Sequence, residues 1–213
     1  MIGLHYYFLS LSIVGLFLGS CGVQLPFQQT ESGELSTDTL NLENVQSGDL
    51  IFRAGNGVAG GFLESTDPET KYSHVGLVVI QQESPFVIHA SLTGDSNGGK
   101  VMLDSLETFL ARDQATAVAV YRPRDEETIE SAIAIAKNYV EEEIPFDSGF
   151  DLSDSERLYC TELVWRAYQE AGLDLVEAEF DTISNPFLSH DEYILPSSLI
   201  KSNQLKYIYS ISQ

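Results

Sequence analysis

The chain has 213 residues, and 11 basic against 32 acidic residues give it a formal net charge of −21. This length can bury one sizeable core, and an apolar content of 43 % is typical of a globular protein. The acidity argues against a nucleic-acid partner, because no basic patch offsets the repulsion between like charges. Two cysteines, Cys21 and Cys160, are too few for a disulfide framework or a cysteine-rich zinc site.

The first residues of the chain have the pattern of a targeting segment. Residues 4–18, LHYYFLSLSIVGLFL, are almost wholly apolar, yet shorter than the about 20 residues of a membrane-spanning helix. The sequence that follows, Leu18-Gly19-Ser20-Cys21, resembles a bacterial lipobox, although no Lys or Arg precedes it. We therefore predict a lipoprotein signal peptide over residues 1–20 and lipidation of Cys21. An ordinary cleaved signal peptide or an N-terminal anchor helix is the alternative.

A polar segment separates this N-terminus from the folded part. Residues 22–42 are rich in Gln, Ser, Thr and Gly and show little periodicity, which is typical of a flexible linker. We predict a tether over residues 21–43, including the lipidated cysteine, and one folded domain over residues 44–213.

The folded domain is predicted to intersperse strands and helices. Apolar and β-branched runs predict strands at Asp49–Arg53, Val75–Ile80, Phe86–His89, Lys100–Leu103, Ala117–Tyr121 and residues 205–211. Amphipathic spacing predicts helices over residues 104–113 with Asp104 as the cap, over 125–142, and over 160–171, where Gly172 ends the helix. Short turns between adjacent strands favour the α+β class and an antiparallel sheet over a doubly wound sheet.

Cys160 is the first candidate for chemistry. It lies at the predicted start of the helix CTELVWRAYQEAG, where unpaired backbone N–H groups and the helix dipole favour a thiolate over a thiol. A cysteine there is therefore expected to have a lowered pKa and to act as a nucleophile. A buried structural cysteine is the alternative.

Two histidines are candidates for a base that activates this thiol. His74 opens one strand of the predicted hairpin and His89 closes the next, so an antiparallel pairing brings the two imidazoles together. A base oriented by a third polar group is what a thiol nucleophile requires. His89 could instead be a half-buried residue bonded to a backbone carbonyl. Zinc binding is disfavoured, because the two histidines and Cys160 have no evident fourth ligand.

The ordered motifs of the domain resemble a known family. They are Gly48-Asp49-Leu50-Ile51-Phe52, Ser73-His74-Val75-Gly76, Val87-Ile88-His89-Ala90, Pro145-Phe146-Asp147, Tyr159-Cys160-Thr161-Glu162-Leu163-Val164 and Leu195-Pro196-Ser197-Ser198-Leu199. Together they resemble the permuted papain-like amidases of the YiiX/YaeF type, within the NlpC-like cysteine peptidases. His74 precedes Cys160, which is the chain order of the circularly permuted branch.

The resemblance implies a fold, a reaction and three catalytic residues. The fold is a circularly permuted papain-like (NlpC-like) α+β fold, with an antiparallel sheet packed against the cysteine-bearing helix. The implied roles are Cys160 as nucleophile, His74 as general base and acid, and His89 as the group that orients His74. Tyr159, Tyr72 and Asp49 are expected to line the site. No cofactor and no metal are implied.

Three functions remain open from the sequence. The leading hypothesis is a lipid-anchored amidase or peptidase of the bacterial cell envelope, which acts on peptidoglycan peptides or another small amide. The first alternative is a thiol acyltransferase or lipase that acts on lipid esters. The second is a non-catalytic module that binds an amino acid or a peptide in the same cleft. The sequence predicts no oligomeric state.

Overall fold

The computed structural model describes residues 44–55, 67–92, 98–111, 115–177, 180–182 and 192–212. By its internal contacts the chain divides into residues 1–32 and residues 33–213, and every described residue belongs to the second unit. The predicted signal peptide, the lipidation site Cys21 and the tether lie outside the described residues. None of the helices within the described ranges is long and apolar enough to cross a membrane.

An antiparallel sheet forms the centre of the described structure. Its strands are β1 Leu50–Gly55, β2 His74–Gln81, β3 Ser84–Ser91, β4 Lys100–Ser105, β5 Ala115–Pro123 and β8 Leu205–Ser212. They are arranged in the order β4-β3-β2-β1-β5-β8, and each neighbouring pair is antiparallel. Two short strands, β6 Asp181–Thr182 and β7 Glu192–Tyr193, pair separately. The predicted antiparallel α+β architecture is confirmed.

The hairpin of β2 and β3 is tighter than the sequence indicated. Gln81 pairs with Ser84, so only Gln82 and Glu83 form the turn. Both have a positive φ, 49° and 66°, which matches the twist of the flanking strands in a two-residue hairpin turn. The usual signal for such a turn is Asn-Gly or Asp-Gly. Its absence explains why a longer polar loop was predicted here.

Four helices are described, and two of the three predicted helices, over residues 104–113 and 125–142, begin later than predicted. They are α1 Leu106–Ala111, α2 Ile129–Glu141, α3 Cys160–Glu170 and α4 Pro196–Ile200. The prediction that Asp104 caps α1 is wrong, because Ser105 Oγ accepts the hydrogen bond from the backbone N–H of Thr108 at 3.1 Å. Asp104 belongs to β4 instead.

The ends of the other helices follow familiar local rules. α3 ends as predicted, since Gly172 has a φ of 101°, a backbone conformation that favours glycine. The sequence analysis missed α4, although its first turn carries Pro196, which is common at a helix start.

Helices cover both faces of the sheet. α2 and α3 pack on the face that carries Phe52, Val75 and Leu77, whereas α1 packs on the face that carries Val78 and Val87. Because successive residues of a strand point to opposite faces, the middle of β2 is buried on both sides.

The helix α3 is fixed against the sheet at both of its ends. The Tyr168 hydroxyl donates to the carbonyl oxygen of Gly48 at 2.6 Å, just before β1. Cys160, in the first turn, belongs to the same buried cluster as Val75 at the start of β2. The packing therefore brings the first turn of α3 to the end of the sheet where β2 begins.

Candidate active site

His74 and His89 meet across the hairpin, as the sequence predicted. Leu77 pairs with Ile88, so the two histidines lie on the same face of neighbouring strands and are diagonal to each other. His74 Nε2 and His89 Nδ1 are 2.9 Å apart and share a hydrogen bond. The ring planes are nearly perpendicular, at 88°. The pairing of the histidines is thus fixed by strand register.

Gly76 makes room for this arrangement. A Cβ atom at this position would lie 2.4 Å from Val87 Cγ1 and 3.1 Å from His89 Cβ. Such distances are well inside van der Waals contact, so a side chain would push β3 away. The glycine of the Ser73-His74-Val75-Gly76 motif therefore allows the close approach of the histidine-bearing strands.

Asp104 extends the histidine pair to a third strand. Its Oδ2 lies 3.0 Å from His89 Nε2, and the side chains of His89 and Asp104 are 0 % and 12 % exposed. Met102 pairs with His89, so Asp104, two residues further on, reaches the same face. The sequence analysis missed this residue. The spacing of two residues from Met102 could have placed Asp104 on the same face of β4, but Asp104 was interpreted as a helix cap.

Arg53 and Phe109 complete the surroundings of the histidines. Arg53 is buried and pairs directly with His74 in the register of β1 and β2. The Phe109 ring stacks at 5.7 Å on His74 and meets His89 edge-on at 5.1 Å. The Arg53 guanidinium lies 4.8 Å from the centre of the same ring, a cation–π contact. These two residues were predicted only as part of a strand and as part of a helix core.

These side chains form one polar row across four strands. From β1 to β4 the row contains Arg53, His74, His89 and Asp104, with a cation at one end and a carboxylate at the other. We call this set the polar row. Phe109 of α1 packs against three members of this row, Arg53, His74 and His89.

Cys160 joins the polar row through the backbone of β2. The residue is 4 % exposed, and its sulfur accepts a hydrogen bond from the backbone N–H of Val75, which directly follows His74. Burial raises the pKa of the Cys160 thiol to about 11. The N–H groups of Val75 and of the first helical turn, together with the positive charge of Arg53, oppose this increase. The expectation of a lowered pKa is therefore wrong for this closed arrangement, because burial outweighs the helix N-terminus.

A buried carboxyl group lies two residues after the cysteine. Glu162 is 0 % exposed and bonds to Arg166 Nε at 2.8 Å and to the backbone N–H of Tyr159 at 3.4 Å. Burial raises the pKa of Glu162 to about 7, although Arg166 opposes the increase. The sequence analysis did not single this residue out. It holds the first turn of α3 in place behind Cys160.

The three predicted site-lining residues differ in their surroundings. Tyr159 is 2 % exposed, and its hydroxyl oxygen accepts a hydrogen bond from the backbone N–H of Ile194 at 3.0 Å. Burial raises the pKa of this hydroxyl well above its ordinary value. These contacts make Tyr159 a support for the start of α3 rather than part of an open cleft.

Tyr72 and Asp49 lie at opposite ends of β2. Tyr72 is half-buried, two residues before His74, with its ring 6.3 Å from that of Phe52. Asp49 is buried, and its carboxylate accepts hydrogen bonds from Arg122 Nε at 2.7 Å and from the backbone N–H of Gln46. The backbone N–H of Val78 donates to the Asp49 carbonyl oxygen. The structure therefore packs Tyr72 against Phe52 of β1 and leaves Asp49 in an ion pair with Arg122.

The acidic and basic side chains that the structure describes include the types that bind metal ions. Among them, no three His, Cys, Asp or Glu groups converge on one position. His74, His89 and Asp104 instead bond to one another in a line. No step of the reaction proposed below uses a metal.

Two Escherichia coli proteins are similar to this chain. Protein YiiX of strain K12 is 30 % identical over 129 residues, which cover 59 % of this chain and 58 % of YiiX. The alignment thus spans less than two thirds of that relative. A crystal structure of YiiX from strain O157:H7, described as a metalloprotein, matches with a TM-score of 0.65 and 24 % identity. It covers 80 % of this chain and 99 % of that one, and shows that the fold is shared.

This chain also matches the sequence model of a protein family over nearly the full described domain. The match is to the permuted papain-like amidase enzymes, YaeF/YiiX, C92 family, and covers residues 44–209. It includes β1 to β7 and the first part of β8, and therefore the complete polar row together with Cys160. The chain accordingly belongs to the permuted papain-like amidase family of the YaeF/YiiX type.

Proposed function

We propose that this protein is a lipid-anchored cysteine hydrolase of the bacterial cell envelope, which cleaves amide bonds through a thioester intermediate. The observation that supports it best is the hydrogen bond from Val75 to the Cys160 sulfur, beside the bonded pair of His74 and His89. A thiol at a helix start, next to an imidazole held by a third polar group, is the arrangement that nucleophilic catalysis uses. Cys160, His74 and His89 are the proposed catalytic triad.

The first half of the reaction forms the thioester. His74 takes the proton of the Cys160 thiol, and the sulfur bonds to the carbonyl carbon of the amide. The backbone N–H groups of Cys160 and Thr161 at the start of α3 are the proposed donors to the resulting oxyanion. When the carbon–nitrogen bond breaks, the proton on His74 passes to the leaving amine. The acyl group stays on sulfur.

The second half of the reaction releases the acid. His74 takes a proton from water while the hydroxyl oxygen bonds to the thioester carbon. The carbon–sulfur bond then breaks, the product leaves as a carboxylic acid, and the proton on His74 returns to the Cys160 sulfur. Because burial raises the pKa of this thiol to about 11, the resting group is neutral at pH 7. His74 therefore acts as a base at the moment of attack.

The proposed substrates are peptidoglycan stem peptides or another small amide. Lipidation of Cys21 would hold the domain near a membrane, and residues 21–43 would serve as the tether. The net charge of −21 repels anionic lipid, which keeps the domain away from the bilayer surface. This favours a soluble or cell-wall amide over an ester buried in the bilayer.

A thiol acyltransferase or lipase is the second candidate. A histidine, His89, in place of a carboxylate at the third position favours it, together with the proposed closeness to a membrane. A peptide and a lipid ester would react with Cys160 through the same steps. The two candidates therefore differ only in their substrate, and the identity of the substrate distinguishes them.

The test offers both substrate classes to the full-length protein. We expect peptidoglycan fragments to be shortened by loss of a peptide or amino acid, as read by mass spectrometry, and phospholipid vesicles to remain intact. Release of fatty acid or transfer of an acyl chain would favour the second candidate. A protein that is inactive on both, while binding a fragment, would instead be a non-catalytic module.

The two cysteines of the chain provide matched variants for this test. Cys160→Ala should abolish hydrolysis of a soluble fragment, whereas Cys21→Ser should leave it unchanged. Retained hydrolysis in Cys160→Ala would contradict the assignment of the nucleophile.

A further inference from the structure

We infer that Asp104 is a positioning residue that fixes which nitrogen of each imidazole carries a proton, so that His74 presents an unprotonated Nδ1 for the thiol proton. This inference rests on the proposed function, in which His74 is the base. It is carried by the two hydrogen bonds that link the side chains of β2, β3 and β4.

The Asp104 carboxylate determines which atom donates in each hydrogen bond. An ionised Asp104 can only accept, so the nitrogen that faces it at 3.0 Å, His89 Nε2, must carry a proton. His89 is 0 % exposed, and a second proton on its ring would face the nitrogen of another imidazole. In its neutral form His89 therefore has a lone pair on Nδ1.

The same reasoning sets the proton on His74. His89 Nδ1 lies 2.9 Å from His74 Nε2 and is now an acceptor, so the proton of that bond belongs to His74 Nε2. A neutral imidazole carries one proton, and His74 Nδ1 is thus a lone pair. This is the tautomer that a general base needs, because the nitrogen engaged with His89 cannot also receive the thiol proton.

Without the Asp104 carboxylate, neither hydrogen bond would have a fixed donor and acceptor. His89 could then carry its proton on Nδ1 and donate it to His74 Nε2, which would move the His74 proton to Nδ1. That tautomer has no lone pair for the thiol. The rings keep their places in either case, because Phe109 packs against both of them at 5.7 and 5.1 Å. Asp104 therefore determines which ring nitrogens are protonated, whereas Phe109 holds the rings in position.

Asp104 also stabilises the charge that forms during the reaction. When His74 takes the thiol proton it becomes a cation, and the carboxylate, linked through His89, favours that cation. Among the described residues, the other charged and titratable groups at the histidine pair are Arg53 from β1, which opposes the cation, and Cys160 from α3. The helix α1 contributes the uncharged Phe109. Asp104 is the acceptor that compensates for Arg53.

The direct test reads the tautomers by NMR. Full-length protein labelled with ¹⁵N-histidine should show His89 and His74 both protonated on Nε2 at a pH where the rings are neutral, with assignment by His89→Gln and His74→Gln. In Asp104→Asn, His89 should populate both tautomers. A wild-type His89 that is protonated on Nδ1, or that keeps one tautomer in Asp104→Asn, would overturn the inference.

Kinetics on the amide substrate give an independent readout. Asp104→Asn should lower kcat at least about tenfold, as loss of a correctly placed base does, with KM changed less than about twofold. The limb of the pH profile that reports imidazole ionisation should move to lower pH, since a negative charge is lost. Asp104→Glu, which keeps an acceptor-only group, should recover part of kcat.

A matched variant separates this role from simple charge loss. Glu107→Gln removes a carboxylate from α1 without touching the histidines and should leave kcat and the tautomers unchanged. Equal losses in Glu107→Gln and Asp104→Asn would overturn the inference. If the expected tautomers are found in a protein whose Cys160→Ala variant is fully active, the proposed function fails while the assignment of protons stands.

Discussion

The chemistry of Cys160 is decided by two opposing effects on one sulfur atom. Backbone N–H groups and Arg53 favour the thiolate, while burial favours the thiol and raises the pKa to about 11. The sequence shows the helix start but not the depth of burial, so only the first effect could be anticipated. At the scale of the residue, the proposed nucleophile is therefore a buried thiol, which would depend on a neighbouring base.

This protection predicts slow alkylation. In the full-length Cys21→Ser variant, where Cys160 is the one remaining thiol, iodoacetamide at pH 7 should react at least about tenfold more slowly than with free cysteine. The raised pKa means that the thiolate fraction, and hence the rate, should keep increasing as the pH rises towards 11. Unfolding in urea should restore the rate of free cysteine. A native rate above that of free cysteine would mean a resting thiolate paired with a protonated His74.

At the scale of elements, the proposed acid–base groups come from one continuous meander. β2, β3 and β4 follow one another in the chain and pair as neighbours. Each contributes one side chain to the same face, and each of the two contacts is diagonal. The geometry of the polar row is therefore a property of strand register, and a small displacement of one strand would break both hydrogen bonds.

Gly76→Ala tests this dependence on register. The added Cβ would meet Val87 Cγ1 at 2.4 Å and the Ile88 carbonyl oxygen at 2.9 Å, so β3 must move. We expect a loss of about 1–3 kcal/mol in the free energy of unfolding by urea, the usual cost of overpacking, together with reduced kcat.

Gly149→Ala is the comparison for this variant. A Cβ at Gly149 would meet only Asp147 Oδ1, at 3.2 Å, and the residue lies far along the chain from the hairpin. Its effect on unfolding and on kcat should be small. An unchanged kcat in Gly76→Ala would show that the histidine pair tolerates displacement of β3.

At the scale of the whole molecule, the net charge and the proposed lipid anchor would act together. All 43 Lys, Arg, Asp and Glu residues lie after residue 20, in the part predicted to face away from the membrane. A lipid at Cys21 would attract the N-terminus to the bilayer while the acidic domain is repelled from it. The tether would allow the lipidated N-terminus to stay in the bilayer while the acidic domain stays away from it.

Cys21→Ser tests the anchor. In bacterial cells the unchanged protein should sediment with membranes and incorporate labelled palmitate, because a lipidated cysteine partitions into the bilayer. The variant should be soluble after cell lysis and should not incorporate the label. Cys160→Ala, the control, should remain with the membranes. Membrane partitioning that is the same in Cys21→Ser would contradict lipidation at this residue.

Much of the fold and part of the site could be predicted from the sequence. Apolar runs located the six strands of the sheet, and the predicted hairpin correctly brought His74 and His89 together. Asp104 was missed because an aspartate before a helical pattern is equally typical of a cap. Arg53 and Glu162 were missed because their importance comes from burial, which depends on packing between distant segments. The turn at Gln82 and Glu83 was missed because it lacks the Asn-Gly or Asp-Gly pair that usually indicates a two-residue turn.

The separation along the chain of the proposed nucleophile from the proposed acid–base groups explains how a permuted chain can work. Residues 74–104 carry His74, His89 and Asp104 as one self-contained stretch, and Cys160 arrives later on a helix of its own. These two parts meet through packing and through the hydrogen bond from Val75 to sulfur, with no requirement on which is synthesised first. Evolution could therefore exchange their order along the gene and preserve the same spatial arrangement of sulfur, imidazole and carboxylate.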